Sequence, residues 1–350
     1  MIGVNGGAST DMPEKAIMTA AISTAALPGG LATNGTIRSV RYLGDILAGF
    51  AIEDFACHLF SMMRRALSRH SIEASDAALI NRRHLLGLLA AASVAPRRAL
   101  AHVAPQRSEI REDLAKHFTD DGTAGTFVGY KIDDYLIIAS DKERSGEAVL
   151  PASTFKIANS LIALETGVVG DPDKDVFKWD GVTRSIEAWN HDHTLRSAIA
   201  ASAVPVYQEI ARRIGAERMQ KYVDLFEYGN RDIGGGIDQF WLTGNLRIDP
   251  VQQVDFVDRL RRGALPISKR SQDLVRDILP VTKAGDSIIR AKSGLLGAEI
   301  GKPSLGWLVG WAEKGTAQTV FALNMDCREP RHIADRMKLA QQCLTDIGAI

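Results

Sequence analysis

Pro151-Ala152-Ser153-Thr154-Phe155-Lys156, followed by Ile157-Ala158-Asn159-Ser160-Leu161-Ile162-Ala163-Leu164-Glu165-Thr166-Gly167, is the stretch around which the rest of the chain is organised. Pro151 suits a helix start, Ile157, Leu161, Ile162 and Leu164 form an apolar stripe, and Gly167 is a natural stop. Ser153 is therefore expected at the positive end of a buried helix, with Lys156 one turn above it on the same face. A serine hydroxyl becomes a useful nucleophile when a neighbouring base takes its proton, and a lysine can be that base only if burial strips its charge. The apolar flank supplies the burial. A Ser-x-x-Lys match is expected roughly once by chance in a chain of this size, so alone it fits a helix-capping serine beside a solvated lysine equally well. The rest of the chain decides between them.

The 350 residues are 45% hydrophobic and 24% charged with a formal net charge of zero, an ordinary soluble-enzyme composition with no basic excess for nucleic acid. Cys57, Cys327 and Cys343 are too few for a disulfide framework and lack metal spacing. His191 and His193 have no third ligand at useful spacing, so they are expected in a solvated loop, and no metal centre is expected. Gly234-Gly235-Gly236 lacks a phosphate-loop context and reads as a flexible turn.

Residues 1–61 are alanine-rich without a sustained helical stripe and receive no assignment. Asn81-Arg82-Arg83-His84, the apolar run Leu85–Ala95 and the small-x-small site Ala99-Leu100-Ala101 resemble a twin-arginine secretory signal, placing a signal segment at 62–101 and the protein in the periplasm. Translation starting at Met62 or Met63 would put that segment at a chain start. The other reading is a short core helix of an N-terminal extension. The run is too short to make a stable membrane span. Either way a catalytic domain is expected over 102–350.

Within it, Glu109–Phe118 reads as a helix with Ile110, Leu114 and Phe118 on one face. Thr126–Ile132 and Tyr135–Ala139 read as strands around a tight turn at Asp133-Asp134. The chain is then helical with long loops to about Pro280, and strands return at Ser287–Lys292, Gly306–Glu313 and Thr319–Met325. A closing helix carries Ile333, Met337, Ala340, Leu344 and Ile347 as its stripe. Strands at both ends with helices between predict an α/β fold, an antiparallel β-sheet flanked by helices plus an inserted helical lobe. The cleft between lobe and sheet is the expected place for Ser153.

Four short elements complete the pattern: Ser202-Ala203-Val204, Tyr228-Gly229-Asn230, Gln239-Phe240-Trp241-Leu242 and Lys292-Ser293-Gly294. Together with Ser153–Lys156, in this order, they resemble the class D, oxacillinase-type, serine β-lactamases, from about residue 110 to the end. Trp179-Asp180-Gly181, Trp189-Asn190 and Gly306–Trp311 are similar to structural landmarks of that family.

The resemblance implies hydrolysis of β-lactams through an acyl-enzyme on Ser153, with an oxyanion held by the backbone N–H groups of Ser153 and Leu295. It implies that CO₂ converts Lys156 to N6-carboxylysine, which acts as general base with no other cofactor, and that the Trp241 indole donates to this carbamate. An apolar pocket of Phe155, Val204 and Leu242 would favour the neutral amine that carbamylation requires. Ser202 is placed to pass a proton to the leaving nitrogen, or else to cap a helix, while Val204 keeps the base side dry. Val204 also separates the chain from related transpeptidases, which usually carry asparagine there. Tyr228 and Gly294 are expected to line the substrate cleft, the glycine by letting substrate approach the backbone. Lys292 supplies positive potential and Ser293 a hydroxyl for the substrate carboxylate, although relatives usually carry threonine at Ser293. Arg331, with Arg328 as competitor, matches the family's carboxylate-binding arginine, since a guanidinium fork fits a carboxylate well. The rival readings are a penicillin-binding transpeptidase or carboxypeptidase, and a β-lactam sensor. Oligomeric state is not readable.

Overall fold

A computed structural model describes residues 107–297 and 303–350, so the expected signal segment and residues 1–61 lie outside the described residues. Strands β1 (Arg107–Ile110), β2 (Gly125–Lys131), β3 (Leu136–Ala139), β4 (Val281–Ala284), β5 (Ser287–Leu296), β6 (Ser304–Lys314) and β7 (Ala317–Cys327) form one sheet in the order β1-β3-β2-β7-β6-β5-β4. All pairings are antiparallel except β1 with β3, which is parallel.

Helices α1 (Lys116–Asp120), α2 (Lys156–Glu165), α3 (Leu195–Ala200), α4 (Val204–Ile214), α5 (Ala216–Leu225), α6 (Pro250–Arg261), α7 (Lys269–Ile278) and α8 (Pro330–Asp346) are the α-helices among the described residues. Six of them, α2 to α7, fall between β3 and β4, the expected insertion. The pleat divides the sheet into two buried faces. Trp307, Val309 and Trp311 of β6 join the core shared with α2, α4 and α6, whereas Leu308 and Ala312 join Leu339, Ala340, Cys343 and Leu344 of α8 on the other face. The β6–β7 hairpin closes at Lys314↔Ala317 through Gly315, whose φ of 60° is cheap only for glycine.

Three local expectations need correction. Ile110 closes β1 and is exposed, and the helical segment starts after it as a 3-10 turn over Glu112–Ala115 leading into α1, with Leu114 and Phe118 buried as its stripe foretold. Edge strands β1 and β4 escaped notice because all four β1 residues are exposed and β4 alternates only exposed with intermediate residues, so neither carries a buried face. The stripe of α8 runs through His332, Leu339, Ala340, Cys343 and Leu344, leaving Ile333 exposed.

Candidate active site

The sequence puts Ser153 not in α2 itself but in a 3-10 turn, Ala152–Phe155, that runs directly into it. Ala152 takes a left-handed φ of 51°, a conformation that costs an L residue free energy and persists where the surroundings fix it. Those surroundings are visible. Ala152 N donates to Trp241 O at 3.1 Å, Thr154 Oγ1 to Pro151 O at 2.7 Å, and Trp307 Nε1 to Leu150 O at 3.0 Å. Ser153 keeps 7% exposure while Lys156 has none, so the nucleophile reaches the cleft and the amine does not.

Lys156 Nζ lies 2.6 Å from Ser153 Oγ. Its wall is the Tyr207 ring, 5.3 Å from Nζ to centroid, and the apolar core around α2. Burial, followed by the positive charge of Lys292, holds the Lys156 amine well below the ordinary lysine range. Phe155 leads an aromatic cluster, stacked on Trp241 at 5.6 Å and 25° and meeting Phe240 edge-on at 4.9 Å. Trp241 is fully buried, yet its indole Nε1 finds no hydrogen-bond partner among the described residues.

Ser202 sits in the tight link between α3 and α4, where Ser202 N donates to Ile199 O and Ala203 N to Ala198 O. Its φ of 52° is again left-handed. Val204 follows as the half-buried first residue of α4. From the sheet side Lys292 of β5 donates through Nζ to Ser202 Oγ at 3.0 Å and to Ser293 O at 2.8 Å. β4 pairs with β5 only from Ser287 to Arg290, so the backbone of Lys292–Leu296 presents an edge that β4 does not cover. Leu295 is exposed on that edge and Ser293 is half-buried.

A Cβ on Gly294 would come within 3.2 Å of Pro151 O, Thr154 Cγ2 and Trp307 Cβ. This glycine thus admits the nucleophile turn against β5, a packing role beside the substrate approach expected from the sequence.

Residues 122–347 match the family described as the penicillin binding protein transpeptidase domain. The chain is 43% identical over 244 residues to β-lactamase OXA-5 of Pseudomonas aeruginosa, covering 69% of this chain and 91% of that one. It is 44% identical over 228 residues to β-lactamase OXA-48 of Klebsiella pneumoniae, covering 65% and 85%. Among solved structures, the class D β-lactamase FUS-1 (OXA-85) from Fusobacterium nucleatum subsp. polymorphum matches at TM-score 0.66 and 35% identity, over 69% of this chain and 99% of its own. The chain belongs to the class D β-lactamases. It is a serine hydrolase of β-lactams, and the mixed sheet flanked by helices is that family's fold.

In this β-lactamase Arg331 does not point at β5. Its guanidinium bonds Asp121 O at 2.6 Å, Asp121 Oδ1 at 3.1 Å and Glu329 Oε2 at 2.8 Å, and it is half exposed. Arg328 pairs with Asp326. The arginine at the cleft is Arg336, one turn and more along α8, which donates through Nη1 to Gly294 O and, at 3.4 Å, to Trp307 O. Its positive charge, after burial, pushes the Lys292 amine down to about 7. The helical period carried the missed signal, since Arg336 stands three and four residues before buried Leu339 and Ala340, whereas Arg331 shares the polar side with Asp335 and Lys338.

Tyr228 also needs correction. It is fully buried behind the turn, edge-on to Phe155 at 5.4 Å and to Phe256 at 4.9 Å, and it lines no cleft. His193 is buried instead of solvated, held by Ser197 Oγ at 3.0 Å and Ala188 O at 2.9 Å. Among the described residues no helix is long and apolar enough to cross a membrane, and no three His, Cys, Asp or Glu side chains gather as a metal site.

Proposed function

We propose that this β-lactamase opens its substrate through an acyl-enzyme on Ser153, and that Lys156 serves both halves of the reaction as N6-carboxylysine. The observation that carries the proposal is the Trp241 indole N–H, buried without a partner and stacked on the residue that precedes Lys156. A buried donor left unpaired costs about 1–3 kcal/mol, and carboxylate oxygens on Lys156 would be its acceptors. The amine is also suited to the modification, because burial favours its neutral form and only a neutral amine adds CO₂. When present, the carboxylate supplies the base for Ser153 and then for the attacking water.

The chain's own residues do the rest. Ser153 Oγ attacks the lactam carbonyl while the backbone N–H groups of Ser153 and Leu295 hold the oxyanion. Ser202, bonded to Lys292, returns a proton to the leaving nitrogen. Lys292, Ser293 and Arg336 bind the substrate carboxylate, with Arg336 taking the place expected of Arg331. Substrates are β-lactams, CO₂ is the only small-molecule requirement, and the signal-like 62–101 segment directs the enzyme to the periplasm.

Turnover of a chromogenic cephalosporin tests the hydrolase reading. Many turnovers per enzyme are expected. A single stoichiometric burst would favour a transpeptidase or a sensor.

A further inference from the structure

We infer that Gln253 and Thr154 form a positioning pair that fixes the strained turn carrying Ser153, so that Gln253, outside every catalytic motif, sets the rate of both acyl-transfer steps. The inference rests on Ser153 being the acylated residue. Gln253 stands on α6, 99 residues from Thr154 in sequence, and donates through Nε2 to Thr154 Oγ1 at 2.8 Å and to Tyr228 Oη at 3.3 Å. The Thr154 hydroxyl has one hydrogen, and it is committed to Pro151 O at 2.7 Å. Its oxygen must therefore accept, and the Gln253 amide nitrogen is the donor that meets it. This requirement fixes the orientation of the amide.

Two observations separate this contact from ordinary core packing. Gln253 is 1% exposed, yet its Oε1 has no hydrogen-bond partner among the described residues, so its amide nitrogen serves the turn at Thr154 and Tyr228 behind it at the expense of an unsatisfied carbonyl oxygen. The turn it grips contains Ala152 at φ 51°, a conformation that needs outside support. Pro151, Thr154 and Gln253 thereby set the direction of the Ser153 backbone N–H, the oxyanion donor in acylation and again in deacylation. A loosened turn slows both steps by a similar factor, which lowers kcat and leaves KM in place.

The test is a cycle of Gln253→Met, which removes both donors at similar volume, and Thr154→Val, which removes the acceptor. In each single variant kcat per active site is expected to fall about tenfold at constant KM, with the pre-steady-state burst still titrating one site per enzyme. The double variant is expected to be no slower than either single one. Thr154→Ser keeps the hydroxyl and recovers most of the loss, and comparison of Ser with Val at 154 decides the matter should Gln253→Met not fold. Unchanged kcat per active site with only a lowered Tm, or fully additive losses, would overturn the proposal. Mass spectrometry of the trapped acyl adduct checks the premise separately. An adduct on a residue other than Ser153 refutes that reading, whereas an adduct on Ser153 with unchanged rates refutes only the role of Gln253.

Discussion

Lys292 Nζ donates to Ser202 Oγ at 3.0 Å, and this one bond joins the sheet to the helical lobe across the cleft that holds Ser153. Its acceptor rests on a strained link, its donor on an open strand edge, and the donor's charge is poised by a third residue, Arg336.

That poise has a sign. Burial first, and Arg336 second, push the Lys292 amine down to about 7, while an unfolded lysine stays protonated to about 10.4. Between the two values the unfolded chain binds more protons, so this group's contribution favours folding increasingly as pH rises through that window. Activity runs the other way, because the charge that attracts the substrate carboxylate is lost above about 7. kcat/KM is expected to show an alkaline limb near that pH, and Arg336→Ala to move the limb upward by removing the repelling charge. A limb that stays in place in Arg336→Ala would count against the coupling.

Arg336→Ala should also lower kcat/KM at every pH by tenfold or more, as loss of a charge-assisted bond of about 1.5–3 kcal/mol requires. Arg331→Ala should leave the kinetics alone and change stability little, since its side chain is half exposed and its ion pairs are screened. Side-by-side kinetics of the two variants decide between them. The reverse pattern would restore the assignment suggested by sequence.

Ser202→Gly and Ser202→Ala both delete the hydroxyl that Lys292 holds, and both should lose most activity. They differ in backbone cost, because a φ of 52° suits glycine. Ser202→Gly should be the more stable of the two by about 1 kcal/mol. Equal melting temperatures would show that the link is not strained.

Gly294→Ala places a methyl group 3.2 Å from Pro151 O, Thr154 Cγ2 and Trp307 Cβ, two of which belong to the nucleophile turn. The turn must give way, at about 1–3 kcal/mol in stability, and acylation should slow along with it. A stopped-flow burst at the wild-type rate would contradict the close packing of β5 on the turn.

How much of this was legible in the sequence follows from how local each signal is. Ser153 and Lys156 are fixed by one helical turn, and Lys292–Gly294 by one strand, so short patterns carry them. The paired β6–β7 hairpin was legible because its two continuous apolar runs and the Gly315 turn between them lie within a few residues. Arg336 was not, because its place depends on the length of the β7–α8 connection and on which face α8 turns to the sheet, a rotation that moves the stripe from Ile333 to His332. Tyr228 and Gln253 were illegible for a related reason. Their contacts with the turn, Tyr228 on Phe155 and Gln253 on Thr154, join residues far apart in sequence, the second pair 99 residues apart, and exist only once the aromatic cluster around Phe155 has formed.

The most direct measurement is carbon-13 NMR of the enzyme in labelled bicarbonate. Wild-type protein should show a carbamate resonance that Lys156→Ala lacks, that acid removes together with activity, and that bicarbonate restores with activity on return to neutral pH, since burial favours the neutral amine that adds CO₂. Trp241→Phe should need more bicarbonate for the same signal, the lost indole bond to a buried oxygen being worth about 1–3 kcal/mol. A wild-type enzyme with full turnover, no carbamate resonance and no response to bicarbonate would show that Lys156 works as a free amine.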